Sequence, residues 1–212
     1  MNSPSQILSP VQARILAVLI EKERTVPDSY PLSLNGLQTG CNQKTAREPV
    51  MELSESEILA ALDELKSAGW ITDHLAGRVA RYSHRFGSQL GVPSQSVAVL
   101  ATLMLRGPQT AAELRSHCER LHRFADISAL EGFLAELAER SAGALVQLLP
   151  RQPGARESRW AHLLCGEPVL AEAVVASSPQ ASGELLARIA ALEEEIVTLK
   201  NEFSAFKRQF EA

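Results

Sequence analysis

Three features of the sequence predict a mainly α protein with small β-hairpins, built as two tandem winged helix-turn-helix domains plus a C-terminal coiled-coil helix. Capping signatures mark helix starts in both halves. A strand, turn, strand pattern closes each helical group at matching places, and an unbroken heptad stripe occupies the end of the chain. The expected domains span residues 1–87, 93–166 and 183–212.

In a capping box, a Ser or Thr hydroxyl accepts the N–H of the third helical residue, and a Glu or Gln at that residue accepts the cap's own N–H. Ser9 with Gln12 and Pro10 opens a helix with apolar positions Val11, Ile15, Val18 and Leu19. Ser54 with Glu57 opens another, carrying Ile58, Leu59, Leu62 and Leu65. Thr110 with Glu113, and Ser128 with Glu131, repeat the signal, the latter ahead of Phe133, Leu134 and Leu137.

The two halves align. Ser33, Leu37 and Cys41 match Thr110, Leu114 and Cys118, and Ser67-Ala68-Gly69 matches Ser141-Ala142-Gly143. After each glycine stop comes a hairpin: Trp70 to His74 and Val79 to His84 flank Ala76-Gly77-Arg78, while Ala144 to Leu149 and Ser158 to Leu164 flank Pro153-Gly154. Three helices and a hairpin, twice over, describe a tandem winged helix. Between the copies FGSQLGVP, from Phe86 to Pro93, has two glycines, a proline and no charge, and reads as a short linker.

At the end of the chain Leu185, Ile189, Leu192, Ile196, Leu199, Phe203, Phe206 and Phe210 alternate by four and three, the seam of a coiled coil. Isoleucine at a and leucine at d favour a parallel pair. An in-register partner would oppose Arg188 to Glu193, Glu195 to Lys200 and Glu202 to Lys207. The pattern therefore points to a homodimer with Ile189, Leu192, Ile196, Leu199, Phe203 and Phe206 at the seam. The same stripe also fits a helix folded back on its own domains.

Composition narrows the function. The chain has 212 residues, 45% hydrophobic and 22% charged, enough for two small cores rather than one. It has no apolar run of membrane length and no signal-peptide pattern at its start, so no membrane is expected as a partner and the cytoplasm is the expected compartment. Cys41, Cys118 and Cys165 are too few and too scattered for a disulfide framework or a zinc site; Cys41 and Cys118 are expected in the core. No phosphate loop, His-Glu-x-x-His or nucleophile-elbow motif is present. An enzyme is not expected, nor a metal or other cofactor.

The formal charge is −4. Residues 9–85 carry nine basic and ten acidic side chains, residues 93–165 eight and seven, and residues 166–212 four and eight, so the acidity belongs to the tail. A protein that coats nucleic acid without selection needs excess Lys and Arg, so any DNA contact here is local.

In a helix-turn-helix module the second helix of the motif enters the major groove. Here that helix starts at Ser54 and carries Glu55, Glu57, Asp63 and Glu64 against Lys66 alone. The candidate phosphate contacts lie elsewhere: Lys44 and Arg47 in the loop before it, Arg78, Arg81 and Arg85 around the first hairpin, and Arg151, Arg156 and Arg159 around the second. Two functions fit: a dimeric, transcription-regulator-like protein that binds double-stranded DNA, or a protein-protein interaction module built on the same scaffold.

The loop Cys41-Asn42-Gln43-Lys44-Thr45-Ala46-Arg47-Glu48-Pro49-Val50, followed by Leu53-Ser54-Glu55, closely resembles the uncharacterised bacterial YceH-like family. The resemblance extends to LSPVQARILAVLIEKE, YPLSLN and GPQTAAELR, covering most of residues 9–165. It implies a tandem winged-helix fold and assigns no biochemical role. The family pattern often places Asn at the position of Ala46. Arg47-Glu48-Pro49 fits either a brace for the next helix or a patch facing a ligand or DNA.

Overall fold

The computed structural model describes residues 7–76, 79–152 and 154–168. The heptad helix, its six proposed dimer-seam residues and Arg78 lie outside the described residues.

The first copy begins with α1 (Pro10–Thr25), capped as the sequence predicts: the Gln12 N–H donates to Ser9 Oγ at 3.2 Å, and the Ser9 N–H to Gln12 Oε1 at 2.8 Å. A single 3-10 turn, Pro27–Ser29, leads to β1 (Leu32–Ser33) and α2 (Leu34–Cys41), which Ser33 caps. Helix α3 (Glu55–Ser67) starts at the Ser54–Glu57 capping box. It is followed by β2 (Ile71–Ala76) and β3 (Val79–His84), paired antiparallel with Ile71 opposite His84. Strand β1 joins the far edge of β3, Leu32 opposite Tyr82, making a three-stranded sheet where two strands were expected. Two residues are too few to show a period, so β1 has no signature in the sequence.

The expected linker is instead α4 (Phe86–Leu90). Phe86 is completely buried, its ring 5.6 Å from that of Trp70, so the segment is pinned to the core by one aromatic anchor.

The second copy repeats the order with α5 (Ser94–Arg106), α6 (Ala111–Cys118), α7 (Ile127–Ala138), β4 (Val146–Leu148) and β5 (Trp160–His162). Gln109, just before the Thr110 cap, bridges to Trp160 of β5 as Leu32, just before the Ser33 cap, pairs with Tyr82 of β3. Helices α2 and α6 each run eight residues and end on a fully buried cysteine. Burial pushes the Cys41 thiol up to about 12 and the Cys118 thiol to about 11, so both stay protonated. Helix α7 corrects the Ser128 expectation. Its cap is Asp126, whose carboxylate accepts the Ala129 N–H at 2.7 Å, and Ser128 falls within the first turn. An ionised acceptor at the positive end of a helix outcompetes a hydroxyl two residues later.

The buried apolar side chains do not divide into the two cores that composition suggested. They form one continuous cluster drawing on both copies, and the described residues up to Pro168 are one compact unit. The cause lies in α1 and α5. Every residue from Gln12 to Ile20 and from Ser96 to Leu105 is buried, so neither helix has a solvent face along that stretch. A helix apolar on all sides must be covered on all sides, and here α1 and α5 cover each other. Hydrogen bonds reinforce the junction: the Leu8 N–H donates to the Leu164 carbonyl at 2.8 Å, and Arg140 Nη2 at the end of α7 to the Leu90 carbonyl at 2.7 Å. No helix among the described residues is long and apolar enough to cross a membrane.

Candidate functional site

The loop between α2 and α3 is built around two buried arginines. Helix α2 ends at Cys41, leaving its last carbonyls without helical partners and its dipole's negative end uncompensated. Arg47 Nε donates to the Gly40 carbonyl at 3.2 Å and Arg14 Nη1 to the Cys41 carbonyl at 3.0 Å, while Arg14 Nη2 reaches the Pro49 carbonyl at 2.6 Å. The Arg47 fork then grips Glu21, Nη2 to Oε2 at 2.7 Å and Nη1 to Oε1 at 3.3 Å. Gly40 allows α2 to approach α1 this closely: a Cβ there would sit 2.6 Å from Val18 Cγ1.

Arg47 is therefore inside the protein, its side chain fully buried, against the expectation that it faces nucleic acid. Its bracing role prevails because the C-terminus of α2 and the half-buried Glu21 carboxylate both gain from a cation on their protein-facing side. Arg14 was not singled out from the sequence. The signal was available: a charged residue in a helix, flanked by core positions on both sides, must be satisfied internally.

The other expected phosphate contacts divide into two groups. Lys44 is exposed and paired with Glu52. Arg81 Nη1 donates to the Pro31 carbonyl at 2.8 Å, tying β3 to the turn before β1. Arg159 donates to the Pro108 carbonyl at 2.9 Å and to Glu113 Oε1 at 3.1 Å. Arg85, Arg151 and Arg156 are exposed and enter no ion pair among the described residues.

Two surface features remain as sites. The first is the outer face of α3, where Glu55, Leu59 and Asp63 recur at i, i+4 and i+8 and form one exposed row. Leu59 is 37% exposed and Val50, in the preceding loop, 48%. The nearest bases on the same copy are committed, Lys66 to Asp73 at 2.6 Å and Lys44 to Glu52.

The second is a cleft of about 280 Å³ between the two copies. Ala46, Arg47 and Glu48 of the first copy form one wall; Arg106, Pro108, Gln109, Glu113, His117 and Arg159 of the second form the other. The Glu48 N–H donates to the Leu105 carbonyl at 2.7 Å and holds the walls together. Ala46 adopts φ 58°, a left-handed conformation that side chains bearing a Cβ rarely take.

Within the cleft the hydrogen bonds fix a tautomer. The buried Gln109 amide nitrogen faces the carbonyls of Thr102 at 3.3 Å and Gly107 at 3.2 Å, groups that only accept. Its oxygen must then face His117 Nδ1, 2.6 Å away, so Nδ1 carries the hydrogen and Nε2 is the ring's free acceptor. Burial, and next the Arg106 charge, lower the affinity of His117 for a second proton, with Glu113 opposing. The Thr110 N–H, and beyond it Arg159, hold the Glu113 carboxyl below its ordinary pKa against the opposing effect of burial. The sequence singled out Arg47, Glu48 and Arg159 but not Arg106, Gln109 or His117, because the relation of the two walls is spatial: Glu48 and Arg106 come to line one cleft only once α1 and α5 have packed.

Comparison with known proteins agrees with the resemblance seen in the loop. A family model described as "Protein of unknown function, DUF480" matches residues 8–155. A UPF0502 protein of Dechloromonas aromatica is 56% identical over 197 residues, covering 91% of this chain and 92% of the relative. One from Leptothrix cholodnii is 55% identical over 211 residues, covering 92% and 95%, and one from Cupriavidus metallidurans 61% identical over 170 residues, covering 80% and 70%. With a family model spanning most of the described unit and relatives matched nearly end to end, the chain belongs to the DUF480 (UPF0502) family, the uncharacterised bacterial group to which its YceH-like loop pointed.

Proposed function

We propose that the chain is a tandem winged-helix scaffold, without catalytic activity, that recognises a protein partner through the outer face of α3 and pairs with a second copy through residues 183–212. One observation carries the reading: the helix that would enter a DNA groove presents Glu55, Leu59 and Asp63 outward. Carboxylates in that row repel phosphate, and a leucine among them suits an apolar anchor within a basic protein surface. The burial of Arg47 and the pairing of Lys44 with Glu52 remove the bases that would have offset that charge.

A photo-crosslinking residue placed at Leu59 tests this in the native host. A discrete protein adduct, lost when Glu55 and Asp63 are both changed to Lys, is expected. Adducts to DNA alone, or a protein adduct indifferent to the reversal, would refute it.

A second reading, contact with double-stranded DNA as in a transcription regulator, is favoured by Arg85, Arg151 and Arg156, exposed and without ion-pair partners among the described residues. It predicts binding to duplex fragments that weakens steeply as salt rises, with a slope set by the phosphates contacted. Salt-insensitive or absent binding at low salt excludes it.

A further inference from the structure

We propose that the cleft between the two copies binds a small zwitterion of the free amino-acid class, its carboxylate on Arg106 and its ammonium between Glu48 and His117. Glu48 and Arg106 line the same cleft from opposite copies, and neither enters an ion pair among the described residues. Arg159 and Glu113, beside them, pair with each other at 3.0 Å, and Arg47 pairs at 2.7 Å with Glu21, a carboxylate it shares with Lys22. Of the charged residues lining the cleft, those outside any ion pair are thus one guanidinium and one carboxylate, a pair complementary to a molecule carrying one charge of each sign.

The imidazole adds direction. The Gln109 oxygen holds His117 in the tautomer whose Nε2 accepts, so the ring offers a lone pair and suits an ammonium rather than an anion. A doubly charged anion such as phosphate would find Arg106 as the one unpaired cation of the lining among the described residues, with the unpaired Glu48 carboxylate opposing it. Size agrees: about 280 Å³ falls just below the range of drug-sized ligands and suits a metabolite of few heavy atoms. Such a ligand would touch both copies at once and stabilise the unit that contains them.

Calorimetric titration of the full-length protein with each standard L-amino acid, and with acetate, methylammonium and inorganic phosphate, tests the proposal. At least one amino acid is expected to bind saturably and raise the melting temperature. Acetate, methylammonium and phosphate are expected to bind far more weakly. Arg106→Gln and Glu48→Gln should each weaken amino-acid binding by roughly tenfold or more, the effect of deleting one charge-assisted contact. Both positions are at least partly exposed, and a melting curve without ligand checks that each variant is folded. Should Arg106→Gln melt early, Arg106→Lys, which keeps the charge and loses the bidentate fork, is expected to weaken binding in the same direction. The proposal is overturned if no L-amino acid binds saturably, if phosphate or acetate binds as tightly as the best amino acid, or if folded variants keep wild-type affinity.

Discussion

The Arg47 guanidinium, with no exposed side-chain surface, lies 2.7 Å from a Glu21 carboxylate oxygen and simultaneously closes the C-terminal end of α2 through the Gly40 carbonyl. This one contact ties α1, α2 and the loop leading to α3. Removing Glu21 strands the buried guanidinium, which costs about 3–5 kcal/mol, whereas removing Arg47 leaves a partly exposed carboxylate that Lys22 still pairs at 3.1 Å and costs less. Glu21→Ala should lower the urea midpoint by an amount of that order and Arg47→Ala by less, and the double variant should cost less than their sum. An additive double variant would show that the two side chains act separately.

Burial alone would raise the Glu21 pKa; the hydrogen bonds and charges of Arg47 and, after it, Lys22 together outweigh burial and bring the value below the ordinary one. A carboxylate held low in the folded state adds stability above its unfolded pKa and loses it as the pH falls through the folded one. Histidines add a second acid-sensitive contribution at higher pH. Burial takes His162 down to about 4 with no partner for Nδ1, and also lowers His84, where Glu23 opposes, and His117. Each protonates more readily unfolded, so stability is full above about pH 6.5 and declines toward pH 4. The His162 share is about 3 kcal/mol. Denaturant melts at pH 7, 5.5 and 4.5 should show this decline, and His162→Leu should flatten most of it; an equally steep slope in that variant would locate the effect elsewhere.

Ala46 carries a Cβ at φ 58°, a backbone state that costs most side chains roughly 1–2 kcal/mol. Asparagine tolerates it better through local hydrogen bonding. Ala46→Asn should raise stability by about 0.5–1 kcal/mol, whereas Ala46→Val should lower it. A melting temperature unmoved by Asn and Val alike would mean that the loop relaxes out of this conformation.

Much of the fold was legible because its signals are local. Capping boxes at Ser9, Ser54 and Thr110 placed three helix starts to the residue, and the match between the Cys41 and Cys118 segments disclosed the repeat. What escaped was tertiary. The runs ILAVLI in α1 and VAVLATLML in α5 are apolar on every side, a pattern that calls for a partner all round, yet composition alone suggested separate cores. The candidate site suffered likewise. A basic residue in a polar loop reads as exposed, and only packing reveals that Arg47 faces Glu21 while Glu48 faces the second copy.

That shared core can be tested with the chain's own probes, since its two tryptophans fall one in each copy, Trp70 at the start of the first hairpin and Trp160 in β5 of the second. Trp70→Phe and Trp160→Phe each leave fluorescence reporting a single copy. If α1 and α5 fuse the repeats into one cooperative body, Leu100→Ala, a fully buried truncation in α5 worth about 2–5 kcal/mol, must shift the denaturant midpoint seen at Trp70 as much as that seen at Trp160. Two separate midpoints, with Leu100→Ala moving only the Trp160 transition, would show two independently folding copies and contradict the account.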